Sequence, residues 1–525
     1  MRPRFCKCSR TKSLVTWSVF LIVFPGAFCS AATTGNAPKP NIIFILADDL
    51  GYGDVRCNNA QSKIPTPNLD RLAAEGIRFT DAHAPDAVCT PSRYGVLTGR
   101  YCFRSRLHSG VLPPWGRPLI EAGRLTVPTL LRQHGYTTAC IGKWHLGWDW
   151  PTMDGQAPSS TNGIANVDFT QTLANGPLTH GFDSYFGVDL PNYPPYCFIE
   201  NDHTVGVPSL AAPMEKGRMN RPGPMVPDWN LTNILPEITL RAVRSIEAAA
   251  KNGKPFFLYF ALTAPHYPIV PAPEFKGRSQ AGQYGDFVTQ VDATVGEVLS
   301  ALARTHLATN TLVFFTSDNG PEIVEIDPGA YERIRLHGHR SMDGLRGVKR
   351  DIWEGGHRVP FLARWPGHIP SGRVSTETIC EVDLMATCAA LLGTKLPRDA
   401  GEDSWNILPV LLGKKLKSPI REATVFHSAN GNFAIRQGDW VLIDARSGDG
   451  ASTSTHPDRE PDWFKRERGY TTNSFSGELY DLREDLSERL NRYGEKPEVV
   501  EHLKALLEKY KNDGRSTPIA AEKLR

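Results

Sequence analysis

The strongest constraint on the fold of this chain is a series of short, continuously apolar segments that stop at polar residues. The first runs from Asn41 to Ala47 and ends abruptly at Asp48 and Asp49. Such segments suit strands buried on both faces of a parallel sheet. Further strands of this kind are predicted at Tyr136–Gly142, Phe256–Leu262, Leu312–Thr316 and Val359–Trp365.

Helical patterns separate these strands. Thr66–Gly76 has a threonine cap, Pro67 in the first turn and a glycine at its end, which are the usual boundary signals of a helix. Apolar residues at helical spacing predict further helices at Thr126–His134, Leu235–Lys251 and Asp286–Arg304. Alternating strands and helices predict an α/β fold with a large mixed, mostly parallel sheet between helices.

The pattern changes after Lys417. Short strands separated by turn residues are predicted at Ala423–Phe426, Phe433–Arg436, Trp440–Ile443 and Glu478–Leu482, with a loop at Gly448–Arg468 and a last helix at Glu498–Tyr510. We therefore expect a large domain over residues 40–417 and a smaller C-terminal α+β subdomain over 418–525, built on an antiparallel sheet.

The N-terminus predicts export. Met1–Lys12 is basic, Ser13–Cys29 is apolar, and small residues follow at Ser30–Ala32, which is typical of a secretory signal peptide over residues 1–32. A membrane anchor is the main alternative, but the apolar run is short and broken by Pro25–Gly26. Acylation of Cys29 is a weaker alternative because bulky Phe28 precedes it. We expect a periplasmic or secreted protein.

The net charge limits the classes of binding partner, and the cysteine content limits the possible disulfides. The net charge of +3 is nearly balanced, so no nucleic-acid partner is expected. Removal of residues 1–32 leaves seven of the ten cysteines: Cys57, Cys89, Cys102, Cys140, Cys197, Cys380 and Cys388. An odd number in an oxidising compartment implies at least one free thiol. Cys89 is the natural odd one, and the other six could pair in ways that the sequence leaves open.

Two acidic clusters follow predicted strands. Asp48–Asp49 follows the first strand, and Ser317–Gly320, with Asp318 and Asn319, follows a later one. Either alone could be a turn or a helix cap. Ligands bind at the carboxyl ends of strands in open α/β sheets, so the clusters could converge. Their donors are hard oxygens, which suit Ca²⁺ or Mg²⁺ and not zinc, and we favour Ca²⁺.

Two basic clusters also follow strands. In Lys143–Trp144–His145, alternate residues of an extended chain would place the lysine and the histidine on the same side. His266 follows the strand at 256–262, with Pro265 stiffening its approach. Surface lysines and lone histidines are common, so it is their position after strands that makes them candidates.

The segment Cys89–Thr90–Pro91–Ser92–Arg93, continued by Tyr94–Arg100, is the most specific motif in the chain. It resembles the type I sulfatase signature C-x-P-S-R-x-x-x-L-T-G at every position. The resemblance extends from about Pro40 to Tyr510 and implies an alkaline-phosphatase-like fold. It also implies that a dedicated maturation enzyme oxidises Cys89 to formylglycine.

The resemblance assigns roles to the other clusters. It implies that Asp48, Asp49, Asp318 and Asn319, together with the modified Cys89, bind the cation. Arg93, Lys143, His145 and His266 match the family's active-site cations and acid/base groups. The segment Gly344–Pro360 resembles the one that carries the last sulfate-binding lysine, here Lys349.

The implied reaction is hydrolysis of a sulfate monoester. One hydroxyl of the hydrated aldehyde attacks sulfur, and His266 protonates the leaving alcohol. Lys143 and Lys349 hold the sulfate oxygens, and Arg93 supports the diol and the charge of the metal site. His145 takes the proton of the second hydroxyl as sulfate leaves.

The identity of the substrate is the feature that the sequence constrains least. Aromatic residues that suit sugar rings occur at Trp144, Trp148, Trp150, Tyr185, Tyr193, Tyr196 and Trp229, although most are expected in the core. Glu200–His203 could bind hydroxyls, and His337–Gly338–His339 is interpreted as a loop or pocket edge. Export favours a sulfated glycan, and an aryl sulfate is also compatible. The alternatives are a phosphonate or phosphodiester hydrolase and an unmatured glycan-binding protein. The sugar and the oligomeric state stay open.

Overall fold

The computed structural model describes residues 39–161, 164–213, 221–323, 329–450, 460–469 and 473–518. The predicted signal peptide at residues 1–32 lies outside them. The strands are β1 (Asn41–Ala47), β2 (Ile77–Phe79), β3 (Ala82–His83), β4 (Thr137–Lys143), β5 (Ser160–Thr161), β6 (Ile164–Ala165), β7 (Ser184–Val188), β8 (Ile199–Glu200), β9 (His203–Thr204), β10 (Leu210–Ala211), β11 (Pro224–Met225), β12 (Phe256–Ala261), β13 (Thr311–Ser317), β14 (Phe361–Arg364), β15 (Arg373–Ser375), β16 (Ile379–Cys380), β17 (Thr424–His427), β18 (Phe433–Gln437), β19 (Trp440–Ile443) and β20 (Glu478–Asp481). The helices are α1 (Pro67–Ala74), α2 (Cys89–Thr98), α3 (Val127–Gln133), α4 (Ile234–Asn252), α5 (Gly282–Arg304), α6 (Ala330–His337), α7 (Glu354–His357), α8 (Leu384–Leu391), α9 (Leu408–Leu411), α10 (Asp462–Arg468) and α11 (Pro497–Asn512).

The main sheet has ten strands in the order β15-β2-β14-β13-β1-β12-β4-β7-β8-β9. The five central strands, from β13 to β7, pair in parallel. Antiparallel pairs occur towards both edges, where β14 joins β13 and β8 joins β7. The sheet is therefore mixed with a parallel centre, which confirms the predicted fold class.

Both faces of the sheet are covered. On β1, Ile42 and Phe44 belong to one hydrophobic cluster, while Ile43 and Ile45 belong to another on the opposite face. Helices α2, α3 and α8 contribute to the first cluster, and α1, α4 and α5 to the second. Burial on both sides explains why β1 is apolar at consecutive positions.

The C-terminal strands form a separate antiparallel sheet in the order β17-β18-β19-β20. Its residues Val425 and Leu442 share a core with Leu503 and Leu507 of α11 and with Tyr101 and Val382. The sheet and its helix confirm the predicted α+β character of this region. The boundary at residues 417 and 418 stays a prediction.

The structure corrects several local predictions. The predicted loop at Gly448–Arg468 contains α10, because Phe464 is buried against Tyr331, with ring centroids 4.9 Å apart. Residues 451–459 of that segment lie outside the description. Thr66 does not cap α1 with its side chain, since its hydroxyl instead accepts the Arg56 amide proton at 3.0 Å.

The structure shows whether the cysteines are paired and whether a helix could cross a membrane. All seven cysteines after residue 32 are described, and each is an unpaired thiol, so the six possible partners form no disulfide among themselves. Within the part of the chain that the structure describes, no helix combines the length and apolar character needed to cross a bilayer.

Candidate active site

The strand-end clusters meet at one edge of the main sheet because of the parallel register. Ala47 of β1 lies opposite Ser317 of β13, and Leu46 lies opposite Ala261 of β12. Ala261 in turn lies opposite Gly142 of β4. The residues that follow these positions therefore emerge level with one another, at the edge where α/β folds bind ligands.

A buried ion-pair network joins three of these strand ends. Lys143 Nζ donates to Asp48 Oδ2 at 2.7 Å. Arg93 of α2 donates to Asp318 Oδ2 from Nε and Nη2, at 2.9 and 2.7 Å, and its Nη2 lies 3.6 Å from Asp48 Oδ2. All four side chains are fully buried, so each charge depends on its partners.

Asp49 is held in an unusual backbone conformation. Its φ is 67°, in the left-handed region that costs a non-glycine residue energy and is common at functional sites. Its amide donates to Asp318 Oδ1 at 3.3 Å, and its Oδ1 accepts from Asn319 Nδ2 at 2.7 Å. Lys349 Nζ donates to its Oδ2 at 2.8 Å. The side chain is thus fixed towards the other acids.

The donor set fits a hard divalent cation. Asp48 Oδ1 and Asn319 Oδ1 are buried and have no hydrogen-bond partner. Asn319 Nδ2 already donates to Asp49 Oδ1 and Gly320 O, both of which only accept, so its oxygen is the free atom. Asp48, Asp49, Cys89 and His266 each offer an atom within 4.8 Å of the others. A set of donor atoms that are mostly oxygens, two of them buried and without a hydrogen-bond partner, suits Ca²⁺ or Mg²⁺.

The ionisation of the buried carboxylates also favours a bound cation. Burial, and then the neighbouring Asp48, raise the pKa of Asp318 to about 7. Burial opposes ionisation of Asp48 as well, but Lys143 and His266 hold its pKa below the usual value. Adjacent carboxylates compete for the same counter-charges, and a divalent ion would let all of them ionise.

Cys89 is the first residue of α2 and is 2% exposed. Burial raises the pKa of its thiol to about 12, although Lys143 and Lys349 act in the opposite direction. A thiol with so high a pKa has almost no thiolate at neutral pH and is a poor nucleophile as it stands. Its position at a helix N-terminus favours an anion beside it.

The two candidate histidines are held by backbone carbonyls. His266 Nδ1 lies 2.5 Å from Tyr267 O, and its Nε2 lies 3.8 Å from Asp49 Oδ2. His145 Nε2 lies 3.1 Å from Leu112 O, and its Nδ1 is buried without a partner. A carbonyl only accepts, so His266 Nδ1 and His145 Nε2 carry protons and the other nitrogens are free.

His145 does not continue strand β4, so the prediction that strand alternation places it on the same side as Lys143 is wrong. Strand β4 ends at Lys143, and His145 has a φ of 51°, so alternation along an extended chain does not apply. Burial, and then the Lys143 charge, still hold the pKa of His145 well below its usual value. The imidazole is therefore neutral beside that lysine.

Three residues near the site, Glu322, Arg350 and Arg221, were not among those predicted from the sequence. Glu322 accepts from Arg350 Nη1 and Nη2 at 2.5 and 2.7 Å and lies 3.4 Å from Lys349 Nζ. Arg221 stacks over the Tyr193 ring at 4.4 Å, and that ring packs edge-on against His145. Tyr193 was noted as an aromatic residue, and Glu322 could have been noted as the acid following Asp318–Gly320. No sequence signal marked Arg221.

Other candidates lie away from these contacts. Six of the seven noted aromatics are buried, which confirms that most belong to the core. Glu200–His203 forms the β8–β9 hairpin, where Glu200 pairs with Arg241 at 2.9 Å. His337 ends α6, so the predicted loop or pocket edge at 337–339 is wrong for that residue. His339 lies outside the helices and strands, as the loop prediction expects, and is buried with its Nε2 2.7 Å from Asp54 Oδ1.

Known proteins resemble this chain in both sequence and structure. The sulfatase family model matches residues 40–394. The chain is 36% identical to an N-acetylgalactosamine-6-O-sulfatase of Bacteroides thetaiotaomicron, over 91% of this chain and 94% of that protein. It is 35% identical to human arylsulfatase A, over 91% and 88%. A solved structure concerned with metabolism of multiple glycosaminoglycans by Bacteroides thetaiotaomicron superposes with a TM-score of 0.77 at 32% identity, covering 91% of this chain and all of that one.

Proposed function

This chain belongs to the sulfatase family and hydrolyses sulfate esters, and we propose that its nucleophile is a formylglycine made from Cys89 beside a divalent cation. The observation that carries the proposal is the placement of Cys89. Its buried thiol, with a pKa of about 12, lies among Asp48, Asp49 and His266. A thiol in that state is inert, so conversion of its side chain to an aldehyde gives the position a function.

We assign the cation to Asp48, Asp49, Asp318, Asn319 and the modified position 89. Ca²⁺ is preferred, and Mg²⁺ is the alternative, because the donors are oxygens. When bound, the cation stabilises negative charge on the sulfate oxygens and lowers the pKa of a nearby hydroxyl. The two unpartnered oxygens of Asp48 and Asn319 support this assignment.

The cationic residues would bind the sulfate. Lys143 and Lys349 now donate to Asp48 and Asp49, and a divalent ion on those carboxylates would free both ammonium groups for sulfate oxygens. Arg93 holds Asp318 through two hydrogen bonds and would keep it oriented towards the ion. Charge-assisted contacts of this kind are the strong ones in a buried site.

The histidines would move the protons. His266 Nε2 faces Asp49 and would protonate the oxygen of the leaving alcohol once the bound sulfate anion favours its charged form. His145 Nδ1 is unpartnered, belongs to a neutral ring and would accept the proton of the second hydroxyl at position 89. Both nitrogens are left free because the opposite nitrogen of each ring donates to a carbonyl.

We propose a sulfated carbohydrate as the substrate. Support comes from a relative named for an N-acetylgalactosamine sulfate, which this chain matches over 94% of its length. It also comes from the exposed Arg221, whose guanidinium lies over the buried Tyr193 ring beside His145. Export through residues 1–32 and maturation of Cys89 by a separate enzyme complete the proposal, and N-terminal sequencing of the exported protein would locate the cleavage.

Mass spectrometry of the Cys89 peptide, combined with sulfate release from sulfated mono- and disaccharides, tests the proposal. We expect the peptide to lose its sulfur and gain an aldehyde oxygen, and activity to rise with the converted fraction. Cys102→Ala, which removes another buried thiol, is the control and should keep activity. Full activity in a preparation that retains the Cys89 thiol would overturn the mechanism. Faster cleavage of phosphonate esters than of sulfate esters would overturn the substrate class.

A further inference from the structure

A second cluster of metal-binding side chains lies apart from the active-site group. His83 ends β3, and Glu354 and His357 begin and end α7. Each is at most 1% exposed, and each offers an atom within 4.8 Å of the others. None of the three takes part in the reaction proposed above.

The hydrogen bonds of the two histidines fix where their protons lie. His83 Nε2 is 2.8 Å from Asp81 Oδ1, and His357 Nε2 is 2.9 Å from Ile352 O. Asp81 stays ionised because Arg358 and Arg436 lie 3.0 and 2.7 Å from its Oδ1. A carboxylate and a carbonyl only accept, so both Nε2 atoms donate. Arg436 Nη1 also lies 3.4 Å from His83 Nε2, but it makes its shorter hydrogen bond, of 2.7 Å, to Asp81 Oδ1.

This arrangement leaves a proton deficit. With both Nε2 atoms protonated, the two Nδ1 atoms carry lone pairs, and they face each other 3.1 Å apart. Two lone pairs at that distance repel unless a positive species lies between them. Two neutral imidazoles supply two protons for three contacts, so the third contact requires a cation or an additional proton.

Glu354 provides a third, independent indication. Its Oε2 accepts from Arg358 Nε at 2.5 Å, while its Oε1 is buried without a partner. An unpartnered carboxylate oxygen inside a protein is costly and calls for a counter-charge. The free atoms of the cluster are therefore two imidazole nitrogens and one carboxylate oxygen.

We propose that His83 Nδ1, His357 Nδ1 and Glu354 Oε1 bind a zinc ion or a similar transition-metal ion. Imidazole nitrogens with one carboxylate suit zinc and not calcium. Two nitrogens about 2.0–2.1 Å from a tetrahedral ion lie roughly 3.3 Å apart, close to the observed spacing. Histidines that bind metal usually donate their other nitrogen to a carboxylate or a backbone carbonyl, as His83 and His357 do.

The position of the cluster indicates a structural role. Phe426 of the C-terminal sheet stacks on His357 with centroids 4.0 Å apart and an angle of 12°. Arg436, from the same sheet, donates to Asp81. An ion bound here would hold β3 to α7 beside the C-terminal sheet, and its full burial separates it from the substrate.

Metal analysis of the full-length protein, after dialysis against Zn²⁺ with excess Ca²⁺, tests the proposal. The calcium fills the active-site group, so retained zinc reports the second cluster. We expect about one equivalent of zinc per chain, with X-ray absorption showing two imidazole nitrogens at about 2.0 Å. Glu354→Gln and His357→Gln should lower the zinc content at least tenfold. His339→Gln, a buried histidine paired with Asp54, is the matched control and should retain it.

Zinc analysis of the folded wild-type protein decides the question even if a variant fails to fold. Absence of bound zinc in the folded wild-type protein would overturn the proposal and assign the position between the rings to a shared proton. Zinc that is lost in Asp318→Asn but kept in His357→Gln would also overturn it, because the ion would then belong to the active site. Neither result would touch the sulfatase mechanism, which the Cys89 peptide tests separately.

Discussion

Arg93 donates two hydrogen bonds to a single oxygen of Asp318, 2.9 Å from Nε and 2.7 Å from Nη2. The contact leaves Asp318 Oδ1 to accept the Asp49 amide at 3.3 Å. One arginine on the helix that begins at Cys89 thus orients a carboxylate at the end of β13. The Arg93–Asp318 pair therefore couples the position of the nucleophile to that of the proposed cation.

Arg93→Lys should weaken that link without removing the charge. A lysine cannot reproduce the fork of two N–H groups, and hydrogen bonds to charged groups are worth about 1.5–3 kcal/mol. We expect kcat/KM for an aryl sulfate to fall by roughly tenfold to a hundredfold, together with weaker cation binding. Arg100→Lys, on a partly buried arginine near the end of the same helix, should change little. Unchanged cation affinity in Arg93→Lys would refute the linkage.

Chelation should abolish activity and lower thermal stability. Removing the cation takes two positive charges away from the buried carboxylates of Asp48, Asp49 and Asp318, which then depend on Lys143, Lys349 and Arg93. An ion at a hundred times its Kd adds about 2.7 kcal/mol of stability, so Tm should rise with calcium concentration. Calorimetry across a calcium titration measures this. Asn319→Ala, which removes one unpartnered oxygen, should flatten the dependence, and a Tm independent of calcium in the wild type would contradict the proposed site.

His266→Ala should affect substrates according to their leaving groups. If the imidazole protonates the leaving oxygen, an alkyl alcohol needs that proton and a nitrophenolate does not. We expect a loss of about 10²–10⁴-fold on alkyl or sugar sulfates and a much smaller loss on nitrophenyl sulfate. Steady-state kinetics on both substrates decides the matter, with His368→Ala as an exposed control. Equal losses would remove the acid role from His266.

Glu322 should stabilise the protein in a pH-dependent manner. Burial opposes its charge, but Arg350 and Lys349 hold its pKa below the ordinary value of 4.5. The stabilisation is therefore complete above that value and is lost as pH falls through the lower folded pKa. Glu322→Gln should cost about 1–3 kcal/mol at pH 7 and progressively less in acid, as urea unfolding at several pH values would show. Glu332→Gln, on an exposed pair with Arg335, should cost little at any pH, and a constant loss for Glu322→Gln would contradict the assignment.

Arg221→Ala should weaken the binding of large substrates more than that of small ones. Its guanidinium is exposed and lies over Tyr193, beside His145, where a sugar could contact it. We expect KM for a sulfated disaccharide to rise about tenfold, in line with roughly 1.5 kcal/mol for a hydrogen bond from a charged group, while nitrophenyl sulfate kinetics stay the same. Arg241→Ala, an arginine that stacks over Phe186 near Glu200, is the control. Equal effects on both substrates would exclude a role in glycan recognition.

Sequence signals predicted five of the ten strands of the main sheet, including four of the five central parallel ones, because burial on both faces leaves a strong apolar pattern. Strands β1, β4, β12 and β13 were predicted within a residue or two of their observed bounds. The loop predicted at 448–468 failed at α10 because burial of Phe464 in a cluster with Tyr331, Met342 and Leu345 outweighs the polarity of that segment. Local composition carries no information about such a distant partner.

The sequence by itself determined the reactive residue types and their order, since Cys89–Arg93 and the strand-end acids and bases are local motifs. Only the tertiary structure decided how they meet. The parallel register placed Ala47 beside Ser317, which brought Asp48 and Asp318 to the same arginine from positions far apart in the chain. Tertiary packing also placed Glu322 beside Lys349 and His83 beside His357. Contacts between distant segments depend on packing and register, which no short stretch of sequence encodes.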